Sequence, residues 1–95
     1  MGKYRLSTEA KNDLIRIHQY GVKTFGVNQA DKYFNAFFDC FDLIAERPYS
    51  FESVDFIRPG YRRCVYGSDS VYFKVSDKHV DIMAIIGRQD LSNLP

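Results

Sequence analysis

Four side chains able to grip an anion fall within six positions: Arg58, Tyr61, Arg62 and Arg63, in the run Arg58-Pro59-Gly60-Tyr61-Arg62-Arg63. A guanidinium is a planar fork of donors that binds a phosphate or a carboxylate through two parallel hydrogen bonds. Such a cluster suits a phosphate ester or the acidic side chains of a partner peptide. Arg58-Pro59-Gly60 reads as a turn and Tyr61 onward as a strand. Adjacent strand residues point to opposite faces, so Arg62 and Arg63 serve different sides of the sheet. Arg88 follows the last apolar strand and is placed to join the patch. These five residues are the candidate binding set for a target or a partner protein. For each arginine the plain alternative is a solvated side chain beside a carboxylate.

Cleaving RNA without a metal asks for more than cations. It needs a base for the 2′-hydroxyl and an acid for the leaving oxygen. Glu52 is a conceivable base and Asp90 a weak one, while residues 87–95 contain no His, Tyr, Lys or Glu. The set is incomplete, and no catalytic residue is assigned. His18 and His79 stand far apart without metal-ligand spacing around them, so no metal site is expected. His18 falls on an apolar helical stripe and reads as a satisfied core-edge residue. No glycine loop for phosphate, no nucleophile elbow and no Cys–His pair is present, and no cofactor is expected. Phe37, Phe38 and Phe41 recur at helical spacing and read as core, with Phe38 partly exposed.

The chain has 95 residues, 45% of them hydrophobic and 16% aromatic, which suits a single folded domain over residues 1–95. The net charge of +1 is low for a free nucleic-acid binder, so no direct sequence-specific contact with nucleic acid is expected. Cys40 and Cys64 are too few for a disulfide framework and read as reduced, buried, small apolar residues. No apolar run reaches membrane-spanning length, and no secretory h-region follows Met1. A cytoplasmic protein is expected.

The elements that must position the arginines follow from periodicity. Residues 3–7 alternate, with Tyr4 and Leu6 inward, as a short strand. Ser7 or Thr8 caps a helix from Thr8 to Phe25, whose stripe is Leu14, Ile17, His18, Gly21, Val22 and Phe25. Gly26 ends it. Asn28 is the expected N-cap of a second helix, with Asp31 in the capping-box position. That helix buries Ala30, Tyr33, Phe34, Phe37, Phe41, Ile44 and Ala45 and stops at Pro48. Residues 48–60 read as a loop whose Phe51, Val54, Phe56 and Ile57 partly pack on the core. Strands follow at 61–66, 70–75 and 79–87, the last apolar on both faces and therefore central. The expected class is α+β, in the order β-α-α-β-β-β. A helical hairpin covers a mostly antiparallel four-stranded sheet.

This order resembles the ParE/RelE toxin superfamily. The resemblance is carried by Tyr4-Arg5-Leu6-Ser7 with Ala10-Lys11-Asn12-Asp13-Leu14, Phe25-Gly26 with Gln29-Ala30, and Leu43-Ile44-Ala45-Glu46-Arg47-Pro48. Ile57-Arg58-Pro59-Gly60-Tyr61-Arg62-Arg63, the hairpin Gly67-Ser68 through Val71-Tyr72-Phe73, and Ile85-Ile86-Gly87-Arg88-Gln89-Asp90 complete it. RelE-like members cleave mRNA, and resemble one another in a basic surface and a Tyr or His near the C-terminus. This chain is nearly neutral and its last nine residues hold neither. It is more similar to the ParE branch. That implies a non-enzymatic toxin of a type II toxin–antitoxin system that inhibits DNA gyrase. It also implies a ParD-like antitoxin, whose C-terminal segment wraps the toxin. An acidic amphipathic segment of that partner would pair with Arg62, Arg63 and Arg88. A RelE-like ribonuclease is the alternative.

Overall fold

The computed structural model describes residues 2–87 and 94–95. Strand β1 (Tyr4–Leu6) leads into helix α1 (Thr8–Phe25), then α2 (Val27–Glu46), a 3₁₀ turn (Pro48–Ser50) and a two-residue strand β2 (Glu52–Ser53). Strands β3 (Tyr61–Tyr66), β4 (Asp69–Val75) and β5 (Val80–Ile86) complete the sheet. Its order is β1-β5-β4-β3-β2, with β1 parallel to β5 and the other pairs antiparallel. The helical hairpin, the meander and the central place of β5 agree with the sequence reading. The fifth strand is the difference. Glu52 and Ser53 pair with Arg63 and Arg62, a ladder too short to leave a periodic signal.

Ser7 is the N-cap of α1, its Oγ accepting from Ala10 N–H at 3.0 Å. Gly26 takes φ +91°, which lets one residue turn the chain between the helices. Its carbonyl accepts from Ala30 N–H, so Val27 is already helical. The expected Asn28–Asp31 capping box therefore does not form, and Asp31 instead holds His18, Oδ1 to Nε2 at 2.7 Å.

The hairpin closes one face of the sheet. Phe37, Phe41 and Ile44 of α2 and Leu14 and Ile17 of α1 pack on Cys64, Val71, Phe73, Ile82 and Ile85. Phe38 is half-buried at the rim, as expected, and Phe25 is exposed. Both cysteines are free, Cys64 buried and Cys40 partly so. Burial, with the neighbouring Cys64, pushes the Cys40 thiol up to about 11, so it stays protonated and inert.

The reverse face carries a second, smaller core of Val54, Tyr61, Tyr72, Ala84, Ile86 and Leu94. A register shift at Tyr72/Phe73 leaves Met83 as the extra residue of β5.

Helix α1 also finishes a sheet edge. β1 reaches only Val80–Ile82 of β5. Beyond it, Ser7 Oγ donates to Met83 C=O at 2.8 Å and Asp13 Oδ2 accepts from Ile85 N–H at 2.9 Å. Arg16 donates to Ile85 C=O at 3.2 Å. Side chains thus supply the hydrogen bonds that a longer edge strand would make, and no bare template remains there for another chain.

Candidate functional site

Alternation along β3 separates the clustered arginines. Cys64 and Tyr66 pack in the helix-side core, so Arg62 shares their face, while Arg63 shares the reverse face with Tyr61. Arg62 Nη1 donates to Phe51 C=O at 2.7 Å, and its guanidinium lies 4.9 Å from the Tyr49 ring centroid. Arg63 Nε bonds Glu52 Oε1 at 2.7 Å as a cross-strand ion pair. Hydrogen bonds to Tyr72 and Glu52 raise its pKa further above the ordinary guanidinium value. Arg58 Nη2 donates to Leu94 C=O at 2.5 Å, and the Tyr61 hydroxyl donates to Pro95 C=O. Burial raises the Tyr61 pKa, so that hydroxyl remains a donor.

The structure therefore brings Arg58, Tyr61, Arg62 and Arg63 to one end of β3 but commits each to a local partner. Together they fasten residues 49–54 and 94–95 to the sheet. Arg88 and Asp90 lie outside the described residues. Glu52, the conceivable base, is tied to Arg63. His18 sits at the core edge, edge-on to Phe34 and bonded to Asp31. His79 bonds Asp81, Nε2 to Oδ1 at 3.0 Å, and Ser76 Oγ donates to the other Asp81 oxygen at 2.5 Å. Both contacts hold Asp81's carboxyl below the usual carboxylate range, the serine contributing most. Among the described residues no group of His, Cys, Asp and Glu can hold a metal ion, and no helix is long and apolar enough to cross a membrane.

The opposite end of β3 holds a feature that no sequence motif marked. A groove of about 740 Å³ opens between the helices and the β3–β4 turn. Tyr20 and Phe25 flank it, both mostly exposed, with Tyr33, Gly67 and Asp69 also lining it and Arg16 at its edge. The Tyr33 hydroxyl lies 2.8 Å from Asp69 Oδ2 and 3.1 Å from Tyr66 C=O. Burial, with the Asp69 bond, raises its pKa, so it stays a neutral donor. Gly67 has φ +57°, and a Cβ there would meet the Tyr33 hydroxyl at 2.6 Å. The exposed tyrosine and phenylalanine at i and i+5 were the available signal for this groove. Helical periodicity assigned Phe25 to the core instead.

A family described as "ParE toxin of type II toxin-antitoxin system, parDE" matches residues 4–91. The chain belongs to the ParE toxin family. It is 37% identical over 86 residues to Toxin ParE1 of Caulobacter vibrioides, covering 90% of this chain and 88% of that protein. Toxin ParE1 of Mycobacterium tuberculosis is 29% identical over 85 residues, 88% of this chain and 87% of its own length. A solved structure titled "Chromosomal ParDE TA system from P. aeruginosa" superposes with a TM-score of 0.80, over 94% of this chain and 98% of that one. At 20% identity that likeness speaks for the fold. The chain is thus a ParE-type toxin, on the fold and in the branch that the sequence motifs resembled.

Proposed function

We propose that this ParE-family toxin arrests growth by binding DNA gyrase as a protein ligand, without cutting RNA, and that a ParD-like antitoxin neutralises it. The observation that carries the non-enzymatic reading is how the arginine cluster is used. Arg58 and Arg62 hold backbone carbonyls, and Arg63 holds the Glu52 carboxylate. A nuclease needs cations open to phosphate beside a free base. Here Glu52, the conceivable base, is spent on Arg63, and the Tyr61 hydroxyl is donating to the chain's own backbone.

The groove at the other end of β3 supports the antitoxin reading. It offers apolar walls with a few polar groups, which suits an amphipathic segment that folds as it binds.

The deciding experiment mixes the antitoxin-free protein with gyrase, relaxed plasmid and ATP, and resolves the DNA on a gel. Lost supercoiling, or linear DNA that appears only with gyrase present, is the expected result. Normal supercoiling from folded protein that still kills cells, with rapid transcript loss, would replace this reading with the ribonuclease.

A further inference from the structure

The groove between the helices and the β3–β4 turn carries charge of one sign and walls of one kind. Among the described residues its charged lining is Asp69 and Arg16. Arg16 is engaged elsewhere, donating to Ile85 C=O at 3.2 Å and lying 3.4 Å from Asp13. Lys23, the next cation along α1, faces a separate hollow with His18. Asp69 accepts from the Tyr33 hydroxyl at 2.8 Å and forms no ion pair among the described residues. A hydroxyl satisfies a carboxylate oxygen without cancelling its charge.

The carboxylate is also held in place. Tyr33 bonds both Asp69 and Tyr66 C=O and so spans the β3–β4 turn. Gly67 lets the turn come that close, since a Cβ there would meet the Tyr33 hydroxyl at 2.6 Å. A group fixed in advance has little freedom left to lose when a ligand docks. From α1, Tyr20 and Phe25 add rings that are 64% and 67% exposed. Aromatic faces attract a cation through their quadrupole. An apolar side chain entering the same groove would cover Asp69 and leave its charge without a counter-ion.

We infer that the groove takes a basic side chain, arginine or lysine, from the antitoxin, its cation paired with Asp69 and set against the faces of Tyr20 and Phe25. This rests on the reading that the groove receives the antitoxin, and it names the anchor. The sign is opposite to that of the acidic segment expected for Arg62 and Arg63, which are occupied by Phe51 C=O and Glu52.

The test measures the affinity of a purified ParD-like antitoxin for the full-length chain, for D69N and for the double variant Y20L/F25L. D69N keeps an acceptor for the Tyr33 hydroxyl, so it is expected to melt with the unvaried chain. It should nevertheless bind the antitoxin at least about tenfold more weakly. Y20L/F25L keeps apolar surface but lacks the ring faces, and should lose roughly fivefold. One antitoxin lysine or arginine, changed to alanine, should match the loss in D69N and add nothing further to it. Affinity in D69N equal to or above that of the unvaried chain overturns the proposal in favour of an apolar anchor. Unchanged affinity in Y20L/F25L overturns it as well. So does a loss in D69N that R88A reproduces while no antitoxin cation couples to Asp69, because the carboxylate would then serve the chain's own Arg88. If the unvaried chain does not bind the antitoxin, the antitoxin reading fails separately, and N-acetylarginine amide followed by NMR becomes the probe. Saturable shifts of the Tyr20 and Phe25 ring protons, absent in D69N, uphold the basic slot for another partner, and no such shifts overturn it.

Discussion

The two faces of the sheet are covered in different ways. On one, helices of 18 and 20 residues lay Phe37, Phe41, Ile44, Leu14 and Ile17 over β3, β4 and β5. On the other, a turn contributes Val54 and Ile57 and the chain end contributes Leu94. The helical cover is continuous, and its own backbone hydrogen bonds are made inside each helix. The reverse cover consists of separate residues, each held by polar fastenings: Arg58 on Leu94 C=O, Tyr61 on Pro95 C=O, Arg63 on Glu52. A cover of that kind opens locally at lower cost than the global unfolding free energy. The helix side, by contrast, carries the larger core.

The largest effect expected from this contrast is on the helix side. Phe37 is fully buried and touches Tyr33, Phe41 and Tyr66. F37A should cost about 3–5 kcal/mol in a urea titration and raise hydrogen exchange across the whole domain. Leu94→Ala should cost roughly 2 kcal/mol, near the low end for a buried leucine. Its added exchange should concentrate at the amides of Val54, Ile57 and Tyr61. Equal losses from both variants, with exchange rising everywhere in each, would show that the faces form one cooperative unit and break the comparison.

Asp13 sharpens it from another side. Helix α1 covers a face and also completes the β5 edge, through Asp13 on Ile85 N–H and Arg16 on Ile85 C=O. D13A leaves that amide without its partner and should cost about 1–3 kcal/mol. D13N keeps an acceptor oxygen and should restore most of it. Matching losses from D13A and D13N in thermal melts would mean that the bond to Ile85 contributes little.

The contrast between the faces also decides what was legible in the sequence. The helix side is periodic: α1 was readable from Ser7 and Gly26, the core stripe of α2 from Phe37, Phe41 and Ile44, and the central place of β5 from its two apolar faces. The reverse side is built from contacts between distant positions. Arg58 and Leu94 are 36 residues apart, and nothing local marks either for the other. The arginine cluster was legible as a cluster, but its employment in holding a loop and the chain end was not. Periodicity also placed Phe25 in the core, although it lies 67% exposed beside the groove. Asn28 and Asp31 carried a capping signal that Gly26 made unnecessary. Local pattern reports what a residue can do, and tertiary contact selects among those options.

The smallest expected effect is a pH dependence confined to the reverse face. Asp81 lies between the helix-side residues Val80 and Ile82, so alternation turns it to the other face, opposite Lys74 in the register. Ser76 Oγ and His79 Nε2 both contact its carboxylate. The serine bond, helped by His79 and Lys74, lowers its pKa in the folded chain. A depressed folded pKa gives stability that is fully present above the unfolded value of about 4 and is lost as pH falls through the folded value. D81N removes that charge at every pH. At pH 7 it should be less stable than the unvaried chain by about 1 kcal/mol at most, because the site is partly open to solvent. The gap should narrow once pH drops below about 4 and vanish below the folded pKa of Asp81. Parallel urea midpoints for the two proteins from pH 7 down to pH 3 would show that the carboxylate's charge does not stabilise the β4–β5 hairpin. The polar fastenings of the reverse face would then act through geometry alone.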